Sequence, residues 1–380
     1  MAEGVDFKQI RVATFNVSME ATNYRSAESD ELNPNALKEQ LASGQNRQIK
    51  NIAEIIQRTR PDIILLNEFD YIEDHSFGVI AFIKNYLNLS QKPDVKAIDY
   101  PYFFIARVNT GEPSPFDFNR DGVASGKGED AWGYGNYPGQ YGMVVLSQLP
   151  IDKKNIKTFK HFRWRDMPNA LQPKIPETNE PWYNDEQWQA FRLPSKSMWD
   201  IPLLWNDESI HILAQHPTPP VFDGAENRNG LRNHDEIRLL ADYLSGESYI
   251  YDDNQTSATF NRDDRFVVVG DLNASVHSKQ TYPGTMQMLL EHSLINSKFT
   301  PTSRGAKKNA ADDPYSNEHT AMWKSRADYV LPSKKGLKVI DGGVFWPAKE
   351  EALHRLVATR ADSSDHRLVW LDLAITPLEP

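Results

Sequence analysis

The apolar segments of this chain are short, and most of them end in an acid, an amide or a histidine. The longest runs, such as Ile63 to Leu66 and Phe266 to Val269, have the length of a buried strand and are far too short to cross a bilayer. Strands are expected at 11–17, 62–67, 102–106, 142–147, 197–204, 210–215, 266–270, 327–331, 339–345 and 368–373. Helical periodicity is clearest where Ile49, Ile52, Ala53 and Ile56 recur, predicting a helix over 45–60 that Pro61 stops. Further helices are expected at 77–87, 234–244 (with Asn233 as its N-cap) and 285–291. Strands outnumber helices, and several neighbours are close enough in sequence to pair antiparallel. The pattern predicts an α+β chain with two packed sheets and helices outside them.

No repeat, low-complexity tract or Gly/Ser-rich linker divides the 380 residues, so 1–380 reads as a single domain. Two long loop-rich stretches interrupt it, near 107–140 and 161–197. Loops of this length are usually functional. Their tryptophans and tyrosines (Trp132, Tyr134, Trp164, Trp182, Trp188) point to packed walls around a site.

The absence of cysteine excludes disulfides, thiolate metal sites and cysteine nucleophiles. The net charge of -10, with no lysine- or arginine-rich run, disfavours nucleic acid as the partner, because phosphate neutralisation supplies most of that affinity. Oligomeric state is not readable. The polar start after Met1 fits a periplasmic or secreted chain whose leader has been removed, with a cytoplasmic location as the alternative.

The strand-end polar residues form a set. Asn16 closes the first strand, Glu68 follows Ile63 to Asn67, and His216 follows Ile212 to Gln215. Asp271 and Asn273 follow Val267 to Gly270, Asp328 opens the strand after Ala327, and Asp365 and His366 precede the last strand. Any one of these alone is ordinarily a turn residue bonding its own backbone. Together they supply oxygen ligands for a hard cation such as Mg²⁺ or Mn²⁺, amides for a charged phosphorus centre, and a histidine with an aspartate partner to handle a proton.

Thr14-Phe15-Asn16, Asn67-Glu68, Gly270-Asp271-Leu272-Asn273, Ala327-Asp328-Tyr329 and Ser364-Asp365-His366 resemble, in order, the motifs of the endonuclease/exonuclease/phosphatase (DNase I-like) superfamily. The resemblance spans nearly the whole chain. It implies a four-layer α/β/β/α sandwich of two mainly antiparallel sheets, with the site at one end of them. It implies a divalent metal held by Glu68 and Asn16, with Asp365 a further ligand. Asp271 and Asn273 would position the water and the scissile phosphate. His366, oriented by Asp328, would act as base or as a phosphate-stabilising cation, and His216 matches the second histidine of the branch containing nucleases, sphingomyelinases and inositol polyphosphate 5-phosphatases. The expected activity is hydrolysis of small or medium phosphoesters. The alternatives are a nuclease of the same mechanism, a lipid phosphodiesterase using the tryptophans of 182–199, and a calcium-stabilised binding protein on a degenerate fold.

Two substrate-side features stand apart from those motifs. Asp117, Asn119, Asp121 and Gly122 have the spacing of a calcium loop, although Gly128 occupies the place of the usual closing glutamate. One arginine of the 223–234 loop (Arg228 or Arg232), or Arg326, is a candidate phosphate clamp.

Overall fold

The computed structural model describes residues 9–24 and 31–378; the polar start of the chain lies outside them. Its strands are β1 (Gln9–Met19), β2 (Ile63–Phe69), β3 (Tyr102–Ile105), β4 (Met143–Ser147), β5 (Lys157–Thr158), β6 (Met198–Trp205), β7 (Glu208–Gln215), β8 (Arg265–Asp271), β9 (Asp328–Pro332), β10 (Leu337–Val344) and β11 (Val369–Ile375). One sheet has the order β10-β11-β1-β2-β4-β3 and the other β5-β6-β7-β8-β9. Each sheet is antiparallel except for one pair, β1 with β2 and β7 with β8. A parallel pair needs a crossover, and the helices Arg47–Thr59 and Arg228–Ser245 lie in those two connections.

The apolar runs are buried on both faces, as unbroken hydrophobic strands require. Val267 and Val269 of β8 join the core that holds Val12, Leu65 and Val145 of the other sheet. Phe266 and Val268, pointing the other way, pack in a second core with Ile237, Leu240 and Leu244 of the helix Arg228–Ser245. The fold is therefore the expected sandwich with helices outside; β1, β2 and β8 end, and β9 begins, at one end of it. Among the described residues no helix is long and apolar enough to cross a membrane.

The helix Arg47–Thr59 begins and ends as its sequence dictates. The Asn46 side chain accepts from Ile49 N at 3.1 Å, and Arg60 turns left-handed (φ 50°) before Pro61. The helix expected at 234–244 starts earlier, at Arg228. Asn233 is not its cap: it is fully buried inside the helix, and its amide donates to Thr218 O and Leu272 O. A polar residue satisfied by tertiary carbonyls carries no local sign of that role.

The two long insertions pack on each other. Phe118 and Tyr183 lie 4.7 and 4.6 Å from Phe191, and the short helix Asp185–Ala190, unanticipated by the sequence, sits between them and Trp164. Of the tryptophans of 182–199, Trp199 is fully buried in β6 with its ring 4.9 Å from Phe104, whereas Trp182 and Trp188 are partly exposed. Arg232 pins this layer, donating to Leu193 O, Trp132 O and Arg192 O.

Candidate active site

Three of the strands leave the sandwich through residues forced into the left-handed region. Ser18, Glu68 and Asn273 have φ of 48°, 55° and 52°. A β-carbon makes this conformation unfavourable, at a cost of about 1–3 kcal/mol each. Such strain persists where the surroundings over-determine it, and here it turns each strand end so that the polar side chains converge.

Asp271 is the centre of the convergence. Its Oδ2 accepts from Asn16 Nδ2 at 3.1 Å and faces the Nε2 atoms of His216 and His366, each at 3.4 Å. His366 Nδ1 lies 2.9 Å from Asp328 Oδ2, which also accepts from Thr320 Oγ1 at 2.6 Å. Asn273 follows Asp271 closely: its N–H donates to Asp271 Oδ1 and its amide donates to Pro217 O. Glu68 is partly open to solvent at the end of β2. Asp365 stands at the rim, where Ser18 Oγ donates to it at 3.1 Å and Arg360 lies 3.6 Å away.

The charges within this cluster are sharply divided. Burial pulls the His366 imidazole down, but the Asp328 and Asp271 carboxylates outweigh it and push it up to about 10, so it carries a proton at neutral pH. Burial, helped by the charge of Lys196, pulls His216 down to about 4, so it is neutral. Asp271 is held well below the usual carboxylate range: burial opposes this, and the facing His366 and His216 overcome it. Glu68 goes the other way. Burial pushes it up to about 7, opposed by His366 and the Asn16 amide and reinforced by the neighbouring Asp365 and Asp271.

That last shift tests whether the residues fit a divalent cation. A carboxylate made reluctant to ionise by burial and two nearby acids is one that a cation would stabilise. Glu68 and Asn16, with Asp365 at the rim, offer oxygen ligands, the set a hard ion such as Mg²⁺ or Mn²⁺ prefers. Asp271, Asp328 and His366 also place ligating atoms within 4.8 Å of one another. There, however, both ring nitrogens already face carboxylates, and a charged imidazole repels a cation. The oxygen face is the better match.

Lys196 was not singled out by its sequence context, yet it belongs to this cluster. It is buried, and its ammonium makes no hydrogen bond or ion pair among the described residues. Its charge is felt by His216, and Glu236, Glu68 and Asp271 act on it in turn, while burial lowers its pKa. Strand direction explains the placement: β6 runs antiparallel to β7, so the residues just before Met198 adjoin those just after Gln215. The backbone there is clamped. Glu236 accepts from Ser195 N and Thr218 N, both at 2.6 Å, and Asn109 N donates to Lys196 O. Gly133 of the first insertion lies so close that a β-carbon would come within 2.0 Å of Ser195 O. The only signal available in the sequence was a lysine immediately before an apolar strand, which is too common to read.

The arginines behave differently from expectation. Arg232 is consumed by backbone carbonyls, Arg228 pairs with Glu129 and Glu226, and Arg326 lies over Tyr329 near Glu318. Only Arg232 is fully taken up by backbone; Arg326 approaches its one acidic partner no closer than 3.7 Å. In the Asp117 loop, Asp117 accepts from Arg120 N, Asp121 N and Gly122 N, and Asn119 Nδ2 donates to Asp121. Calcium binding there rests on the spacing alone.

The endonuclease/exonuclease/phosphatase family model matches residues 13–366, a span holding the whole convergent cluster. The chain belongs to the endonuclease/exonuclease/phosphatase family. Enzymes of this family are generally hydrolytic and metal-dependent. An endonuclease/exonuclease/phosphatase protein from Beutenbergia cavernae is 16% identical, with 97% of this chain and 72% of that one aligned at a TM-score of 0.50. A beta toxin mutant from Staphylococcus aureus, solved with bound magnesium ions, is 12% identical over 97% and 100% of the two chains, with a TM-score of 0.47. Sphingomyelinase C from Streptomyces griseocarneus is 14% identical over 96% and 99%, with a TM-score of 0.46. At 16% identity the likeness to the Beutenbergia cavernae structure speaks for the fold alone. No curated protein matched the sequence.

Proposed function

We propose that this family member hydrolyses small or medium phosphoesters with a divalent metal, by in-line attack of water on phosphorus. The observation that carries the proposal is the line Asp328–His366–Asp271, in which a charged imidazole is fixed between two carboxylates and opposite a neutral His216. Asp328 fixes the ring, and protonated His366 donates to a phosphoryl oxygen whose charge grows in the transition state. Ionised Asp271 accepts from the attacking water, with Asn273 beside it to hold the phosphate. Lys196 adds a desolvated positive charge on the side of His216. Glu68 and Asn16, with Asp365 at the rim, are the residues that would hold Mg²⁺ or Mn²⁺. When bound, the ion supplies Lewis-acid polarisation of the phosphoryl oxygen. Because both sheets contribute to this composite site, 1–380 is best read as one domain.

The net charge of -10 favours a compact substrate over a long polyanion, because phosphate neutralisation supplies most of the affinity for nucleic acid. The test is hydrolysis of bis-p-nitrophenyl phosphate and p-nitrophenyl phosphate after EDTA treatment. Activity should be absent in EDTA and return with Mg²⁺ or Mn²⁺, and the diester-to-monoester ratio then narrows the substrate. Turnover that persists in EDTA would contradict the proposal.

A further inference from the structure

Trp323 stands where a substrate group would lie, and nothing in the chemistry above uses it. Its ring centroid is 4.7 Å from that of His366, with the two planes at 83°. Yet 47% of the residue faces solvent, and its neighbour Met322 is 37% exposed. An indole left open in this way forfeits much of the burial it would gain in a core, of the order of 25 cal/mol per Å² of apolar surface.

The presentation is rigid. Trp323 sits at the tip of a tight hairpin closed by the Ala321–Ser325 bridge, with Lys324 left-handed at φ 63°. The hairpin is strapped to the Ser364-Asp365-His366 segment: Met322 N donates to Asp365 O at 2.8 Å, and Ala321 bridges His366. Indole and imidazole are thus held by one piece of backbone. The loop leading into the hairpin carries Tyr315, stacked on His277 of the loop after Asn273 with ring centroids 3.4 Å apart at 10°. Among the described residues, eleven large apolar side chains are exposed, and Val276, Tyr315, Met322 and Trp323 come from these two loops. Four of the eleven thus lie on the loop after Asn273 and on the hairpin strapped to His366 and its approach.

We propose that Trp323 is a substrate-binding residue, and that it stacks on an aromatic or heterocyclic ring carried by an ester group of the phosphoester. The inference deepens the hydrolase reading of the site and rests on it. A flat ring is favoured over a bilayer because the indole abuts His366, the residue assigned to the phosphate, and so lies within reach of an ester group on that same phosphate. A ring also gains most from a fixed aromatic face, about 1–3 kcal/mol per stacked base in nucleic-acid sites, or roughly 5- to 150-fold in affinity.

The test uses the full chain in Mg²⁺, with phenylphosphonate and ethylphosphonate as probes, since their P–C bonds resist hydrolysis. Calorimetry should show phenylphosphonate binding about 10-fold tighter than ethylphosphonate, as expected for one stacking contact. Trp323→Ala should erase that preference and keep ethylphosphonate binding, and Trp323→Phe should restore most of it. Equal binding of both probes to the wild type overturns the ring contact and leaves the phosphate site standing. Binding of neither probe removes the phosphate site itself, and the ring contact with it. If Trp323→Ala keeps the phenyl preference but loses co-sedimentation with phosphatidylcholine vesicles, the residue serves a lipid surface and the proposal is wrong.

Discussion

His366→Ala is expected to lower kcat for bis-p-nitrophenyl phosphate by about two to three orders of magnitude, the usual loss when one transition-state donor is removed. The expectation follows from the charge state of the ring. Asp328 and Asp271 keep His366 protonated, so alanine deletes a positive charge next to the reacting phosphate and frees Asp271 from its strongest partner. The fold should survive. Thr320 still donates to Asp328, and burial already raises the pKa of that carboxyl, so it can take up a proton when its partner is gone. Circular dichroism and a thermal melt beside the kinetics would check this. A folded variant with near-normal turnover would remove His366 from the mechanism.

Lys196→Met should separate activity from stability in the opposite sense. Lys196 is a buried residue whose ammonium makes no ion pair among the described residues, an arrangement that costs stability in the free protein. Methionine fills similar volume without the charge, so Tm is expected to hold or rise. Meanwhile kcat/KM should fall by about 100-fold, because the charge serves only when a phosphate is present. The His216 imidazole should also titrate at higher pH in the variant, since Lys196 is one of the causes holding it down, and NMR of the ring protons would record this. Unchanged kcat/KM with raised Tm would make Lys196 a burden without a function.

What the sequence made legible was what repeats locally. Strand-length apolar runs are satisfied on both faces in β2 and β8 and therefore mark themselves. Polar residues at their ends mark the site, and Asn16, Glu68, His216, Asp271, Asn273, Asp328 and His366 do come together, with Asp365 at the rim. Contacts that exist only through topology were not legible. Lys196 acts because β6 is antiparallel to β7, and Asn233 caps nothing because two distant carbonyls claim its amide. Arg232, one of the three candidate clamps, shows the same limit: it pins two insertions whose packing no local pattern announces.

Glu68 is expected to anchor the divalent ion of the proposed hydrolysis. The most direct test is Mn²⁺ binding, followed by electron paramagnetic resonance, in the wild type and in Glu68→Gln, with bis-p-nitrophenyl phosphate turnover measured on the same samples. The structure predicts that the wild type binds Mn²⁺ and turns over, and that Glu68→Gln, still folded, loses both together. Wild-type Mn²⁺ binding and turnover in Glu68→Gln would place the ion elsewhere and contradict the assignment.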